Sequence, residues 1–126
     1  MLDIKRCLIV DDSSVIRKVA KRILAGPDML VGEAATAQEA IDICRQEMPE
    51  IIIVDSLLPD MDTTELIRRI NSVEAEVKPR ILLCTYQFDV GRIMRAKRAG
   101  AHGYILKPFT RAQLLGSFRE LQAAAA

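Results

Sequence analysis

The stretch CLIVDDSS, Cys7 to Ser14, sets four apolar residues against two adjacent carboxylates, Asp11 and Asp12. An apolar run without a polar alternate reads as a strand covered on both faces, the habit of a parallel sheet under helices. We read it as the central strand. Two like charges at its end repel and call for compensation. Working outward, the same texture recurs. RCLIV (6–10), MLVGEA (29–34), EIIIVD (50–55), RILLCT (80–85) and GYILK (103–107) are the strand candidates, each of ordinary strand length.

The segments between them carry helical period. After the acid pair, Val15, Ile16, Val19, Ala20, Ile23 and Leu24 form an apolar stripe, and Gly26-Pro27 ends it. Thr36 and Glu39 make a capping box for a second helix, packed through Ala40, Ile41 and Cys44. A third begins near Asp62, with Glu65 placed to reach back, and packs through Leu66, Ile67 and Ile70. A fourth carries Ile93, Met94 and Ala99 and ends near Gly100. Thr110 and Gln113 open a fifth, which buries Leu114, Leu115, Phe118 and Leu121. Strict alternation of five strands and five helices implies right-handed crossovers and an open, doubly wound α/β sheet.

The length of 126 residues suits one domain with its own core, and half apolar with 28% charged is the balance of a soluble globular chain. A net charge of +1 gives no bulk reason to bind nucleic acid or an anionic membrane. Cys7, Cys44 and Cys84 lack zinc or disulfide spacing, and His102 is the one histidine, so the thiols read as small hydrophobes in a reducing compartment. MLDIKR has an acid and no long apolar stretch; no run approaches a bilayer span, and a cytoplasmic protein is the expectation. We take 1–126 as a single domain, with LQAAAA (121–126) a frayed helix end or an appended tail.

Ligands of doubly wound sheets bind beyond the carboxyl ends of the strands. There the sequence places Asp11 and Asp12 after strand one, Asp55 after strand three, Thr85 after strand four and Lys107 after strand five. Three acids in one partly dehydrated cleft raise one another's pKa unless a cation intervenes. Oxygen donors and no available histidine point to a hard cation, Mg²⁺ first because it keeps several waters and works with phosphate oxygens. The plainer reading makes Asp12 or Ser13 a cap for the first helix.

This set, with Lys107-Pro108-Phe109 inside GYILKPF and with VDSLLPDMD (54–62), strongly resembles the receiver domain of two-component response regulators over essentially the whole chain. The resemblance implies a flavodoxin-like (βα)5 fold with strand order 2-1-3-4-5. It implies a stand-alone, chemotaxis-type receiver, since nothing remains for a DNA-binding output domain. Asp55 is then the phosphoacceptor for a histidine kinase or phosphotransfer protein. Asp11 and Asp12 hold Mg²⁺, Asp12 directly and Asp11 through water, with Asp55 and the backbone carbonyl of Leu57 completing the set. Lys107 pairs with the acceptor and the phosphoryl oxygens through a Lys-Pro peptide that is usually cis in the family. Thr85 and Tyr104 form the switch that alters a face of helix four, strand five and helix five, where a downstream protein docks. No turnover enzyme is expected beyond self-phosphotransfer and autodephosphorylation, and a phosphorylation-dependent dimer is compatible with the fold.

The chain departs from the family pattern in places. Thr63 stands where glycine is common, which implies strain if that position needs a positive φ. Tyr86 follows the switch threonine where a small residue is usual, so with Leu57 and Gln87 it is expected to govern access to the site and the life of the acyl phosphate. Arg92, Arg95, Arg98 and Arg111, with Arg17, Lys18, Lys21 and Arg22 on the first helix, are either solvated helix faces or docking surfaces for acidic or phosphate-rich partners. Some receivers bind a cyclic dinucleotide through arginines; no motif here specifies one. The alternative function is a pseudo-receiver, a constitutive interaction module not switched by phosphate. A flavin carrier on this fold is disfavoured, because Asp11 and Asp12 would repel the phosphate.

Overall fold

The apolar runs do pair in parallel. The computed structural model describes residues 4–124 and orders the chain as β1 (Lys5–Val10), α1 (Ser14–Leu24), β2 (Met29–Ala34), α2 (Ala37–Gln46), β3 (Ile51–Asp55), α3 (Thr63–Asn71), β4 (Arg80–Thr85), α4 (Val90–Ala99), β5 (Gly103–Leu106) and α5 (Arg111–Ala124). The sheet order is β2-β1-β3-β4-β5, all neighbours parallel. This is the doubly wound sheet the alternation implies, with one adjustment: β3, not β1, is central. The acid of MLDIKR, Asp3, and the last residues of LQAAAA, 125 and 126, lie outside the described residues; through Ala124 that segment is continuous helix.

Inside the continuous apolar runs a period of two sorts the side chains between two cores. Leu8, Val10, Ile52, Val54, Ile81 and Leu83 face α2, α3 and α4, whose Ala40, Ile41, Leu66, Ile67, Ile70 and Ile93 join the same cluster. Cys7, Ile9, Ile51, Ile53, Leu82, Cys84 and Ile105 face α1 and α5, meeting Ala20, Leu24, Leu114, Phe118 and Leu121. Each such side chain stabilises the fold by about 1.5–3 kcal/mol relative to exposure. All three thiols are buried and free, and burial raises Cys7 and Cys84 to about 12 and Cys44 to about 11. They are inert hydrophobes, as their spacing suggested.

The helix ends show where local rules hold. Ser13, not Asp12, caps α1, its hydroxyl accepting from the Ile16 N–H (3.3 Å). The Thr110–Gln113 box closes in both directions, at 2.8 and 3.1 Å. At α2 only half forms: Thr36 accepts from Glu39 N–H, while the Glu39 carboxylate reaches Ala35 N–H. Asp62 precedes α3 without a side-chain cap bond, and Glu65 turns to Arg68 and Arg69 instead of reaching back. In two helices the buried face is narrower than the apolar stripe. Val15 and Val19 of α1 and Met94 of α4 are exposed, and Ala96 takes the inward place on α4. No helix among the described residues is long and apolar enough to cross a membrane.

Gly100 ends α4 at φ 124, a conformation that side chains rarely adopt. A Cβ there would also run into the side-chain amide of Asn71, whose Nδ2 donates to the Ala99 carbonyl (3.1 Å). Gly100→Ala is therefore expected to lower unfolding stability by about 1–2 kcal/mol in urea melts. Gly116→Ala, in the interior of α5 with nothing within 4 Å, should instead raise it by about 0.5–1 kcal/mol.

Candidate functional site

The order β2-β1-β3 makes the β1/β3 boundary the topological switch point, where a crevice opens beyond the strand ends. Val10 pairs with Val54, so Asp11 and Asp55 emerge side by side one residue further on. Both are buried, while Asp12 is exposed beside them. One carboxylate oxygen from each of Asp11, Asp12 and Asp55 lies within 4.8 Å of the others. Oxygen donors that close, one of them open to water, suit a hard divalent ion that retains part of its hydration. The residues present therefore fit Mg²⁺.

The repulsion at the end of β1 is not left to a metal alone. Lys107, directly after β5, inserts its ammonium between the two buried acids, donating to Asp55 Oδ1 (2.9 Å) and Asp11 Oδ2 (3.1 Å). The resemblance implies a Lys107 pair with Asp55 alone; in the structure Lys107 compensates Asp11 as well. Lys107 reaches this point because its own N–H bonds to the Thr85 carbonyl (2.8 Å), beside a cis Lys107–Pro108 peptide. Burial works to lower the Lys107 pKa, but its bonds to Asp55 and Asp11 outweigh this and hold the ammonium well above its usual range. Burial raises the Asp55 carboxyl; the Lys107 hydrogen bond opposes this, the Asp11 charge adds to it, and the net shift is upward.

The acceptor strand's end is fixed from below. The Thr63 hydroxyl, buried at the first residue of α3, donates to the backbone carbonyl of Asp55 (2.8 Å). Thr63 thus has a positive use where the sequence reading expected strain, and no described non-glycine residue has positive φ. The nearby Leu57 N–H works weakly to lower the Asp55 carboxyl, and Asp60, further along the loop, accepts from Ala37 and Gln38 N–H at the start of α2 (2.9 and 3.0 Å). Leu57 itself is exposed.

On the other side of the crevice, Thr85 is buried and its hydroxyl meets the Gln87 backbone, donating to the carbonyl at 3.3 Å and facing the N–H at 3.5 Å. The Tyr86 ring lies over the Lys107 ammonium, 4.4 Å from its centroid, while remaining 62% exposed. Tyr104 faces outward and packs on Phe88 at 5.7 Å between ring centroids. Ser56, Leu57, Thr85, Tyr86, Gln87, Asp89 and Arg92 line a cavity of about 300 Å³ beside the acids.

The basic residues divide. Arg92 is half-buried and donates to the Ser56 carbonyl (3.2 Å), so it is a structural link between α4 and the end of β3 rather than a free docking charge. Arg95, Arg98 and Arg111 are exposed. On α1, Arg17, Lys18 and Lys21 converge on Glu33 of β2. The sequence reading contains neither the Thr63 bond to Asp55, nor the Asp60 cap, nor the Arg17–Glu33 pair. The one legible signal was an acid, Glu33, inside the otherwise uncharged MLVGEA strand.

Residues 7–119 match the family described as the response regulator receiver domain. The chain is 33% identical over 107 residues to the chemotaxis protein CheY of Thermotoga maritima, covering 83% of this chain and 87% of that one. It is 28% identical to the chemotaxis protein CheY of Halobacterium salinarum, over 95% and 98%. Among solved structures, Vibrio cholerae chemotaxis protein CheY4 superposes with a TM-score of 0.87 at 26% identity, covering 94% and 98%. A CheY-like receiver domain protein from Methanospirillum hungatei gives 0.85 at 31%, with 95% of both chains covered. The buried acid pair, its lysine and the parallel sheet that aligns them sit in a chain that belongs to the receiver-domain family of two-component response regulators, of the chemotaxis type.

Proposed function

We propose that the chain acts as one receiver unit in which Asp55 accepts a phosphoryl group from the phosphohistidine of a kinase or phosphotransfer protein. The observation that supports this most is the ammonium of Lys107 shared by Asp11 and Asp55 beside an exposed Asp12. A carboxylate oxygen of Asp55 attacks phosphorus as the P–N bond breaks, and the electron pair leaves with the imidazole. An acyl phosphate and a free histidine result. Such transfer is mostly positioning and charge neutralisation. Asp12, Asp55 and the Leu57 carbonyl, with Asp11 through water, would hold Mg²⁺, which supplies neutralisation of the phosphoryl oxygens. Lys107 is already seated to follow the charge from carboxylate to phosphoryl group.

The added group brings roughly −1.5 to −2 charge and three acceptor oxygens. The Thr85 hydroxyl, held only by long bonds to Gln87, is a movable donor at the end of the neighbouring strand. Its displacement lets Tyr104 leave Phe88 and repacks the α4–β5–α5 face, a population shift between two arrangements of one surface. A downstream protein reads that face, with Arg95, Arg98 and Arg111 as exposed charges at its margin.

Incubation with Mg²⁺ and a small phosphodonor, or a phosphorylated histidine protein, is expected to give an acid-stable, base-labile adduct absent from Asp55→Asn. No adduct from either donor would favour the constitutive module instead. The Tyr86 ring over Lys107 shields the acyl phosphate, so Tyr86→Ala should hasten its loss by about two- to fivefold, the factor matching ~0.5–1 kcal/mol of an exposed cation–π contact. Tyr86→Phe, which keeps a ring, should stay near wild type.

Without metal, the raised Asp55 pKa has a stability consequence of definite sign. The folded state keeps a proton that the unfolded chain has lost, so stability falls as pH rises from the ordinary aspartate value of 3.8 through the raised value. Asp55→Asn removes that penalty. In metal-free urea melts the variant should be more stable than wild type at pH 7, and the gain should vanish below about pH 4.

A further inference from the structure

We propose that Arg17 is a positioning residue for the cation site and that Glu33 both seats it and keeps it off the acids. This rests on the reading of Asp11, Asp12 and Asp55 as a Mg²⁺ site. Arg17 stands in a run of bases on α1 that resembles an ordinary solvated helix face, yet its side chain is only 15% exposed. Its guanidinium forks between two partners. Nη1 donates to the backbone carbonyl of Asp11 (2.7 Å), and Nε donates to Glu33 Oε1 (3.1 Å).

The carbonyl it holds belongs to the peptide that joins Asp11 to Asp12. Every other polar group of Asp11 is already engaged: its N–H with the Ala34 carbonyl (3.0 Å), Oδ1 with the Ser13 N–H (2.9 Å) and Oδ2 with Lys107. Arg17 takes the remaining one. Fixing that peptide plane fixes the direction in which the exposed Asp12 leaves the backbone, the one acid of the three that no packing holds. Outer-shell partners of metal ligands set affinity in this way.

A guanidinium this close to the acids is also a rival for them. Glu33 resolves the conflict from β2, where it pairs in register with Ile9 of β1. Burial alone would raise its pKa, but hydrogen bonds from Lys18 and Arg17 take it below the ordinary range, so it stays charged. It also faces Lys18 (3.2 Å) and Lys21 (3.8 Å), so one carboxylate gathers three cations away from the site. Removing its charge frees Arg17 to swing to Asp12.

The test is the Mg²⁺ dissociation constant by calorimetry, with the Mg²⁺-induced rise in melting temperature measured against each protein's own metal-free value. Wild type, Arg17→Ala, Arg17→Lys, Glu33→Gln and the double variant Arg17→Ala/Glu33→Gln are compared. The clamp predicts that Arg17→Ala binds Mg²⁺ about tenfold more weakly, the low end for outer-shell partners. Arg17→Lys should fail to rescue it, because an ammonium lacks the fork. Simple electrostatics predicts the opposite sign, since deleting a positive charge favours a cation. Glu33→Gln should also weaken binding, and the double variant should lose less than the product of the two single losses. Tighter binding or a change under twofold in Arg17→Ala, full rescue by lysine, or multiplicative losses would each overturn the clamp while leaving the site intact. A wild type that takes up no Mg²⁺ would overturn the site reading and the clamp together.

Discussion

The ammonium of Lys107, shared between Asp11 and Asp55, is the interaction around which this structure is arranged. Two carboxylates and an ammonium out of water are costly unless all are paired, and removing the ammonium strands both acids. The fold satisfies this by bringing β1, β3 and β5 to a common edge, so that residues 96 and 52 positions apart in sequence meet within hydrogen-bond distance. The three-residue cluster is neutralised only in part. Two carboxylates share one ammonium, and the exposed Asp12 adds a third negative charge. The residual negative charge favours a divalent cation, as the proposed Mg²⁺ would be.

Much of this was legible in the sequence because it follows from local rules. Continuous apolar runs required a covered parallel sheet, and the polar residues at their ends had to converge on one edge. Thr36, Ser13 and the Thr110–Gln113 box act through near neighbours, and a short sequence window contains all they need. What escaped were contacts whose partners are set by packing. Thr63 holds the Asp55 carbonyl across a whole loop, and Asp60 caps α2 from 22 or more positions away. Glu65 had a local partner in prospect, but two arginines three and four residues on compete for it on the helix surface.

Tyr86 and Tyr104 show a different limit. The sequence reading puts Tyr104 in the switch and Tyr86 over access to the site. In the structure each has its own partner, Lys107 for the first and Phe88 for the second. Ring direction depends on the path of the β4–α4 loop, which the sequence constrains only through Asp89 at the α4 N-cap. The basic residues divide for a similar reason: the same residue type is a strut at Arg92 and Arg17 and a solvated charge at Arg98, according to what the neighbouring element presents.

The two sides of the crevice are held unequally, and that inequality fits a switch. On the β1/β3 side, Asp11 is engaged at every polar atom and the Asp55 backbone is anchored by a buried hydroxyl at 2.8 Å. On the β4 side, the Thr85 hydroxyl has only bonds of 3.3 and 3.5 Å, near the limit for a hydroxyl, and the aromatic residues that follow it are exposed. On the proposed reading, a charge added at Asp55 meets acids that are already fixed. It can move the hydroxyl at small cost, and the loop that carries Thr85 leads directly into α4. Fixed geometry at the acids and slack at the hydroxyl thus lie on opposite walls of one cleft, the division that the proposed switch requires.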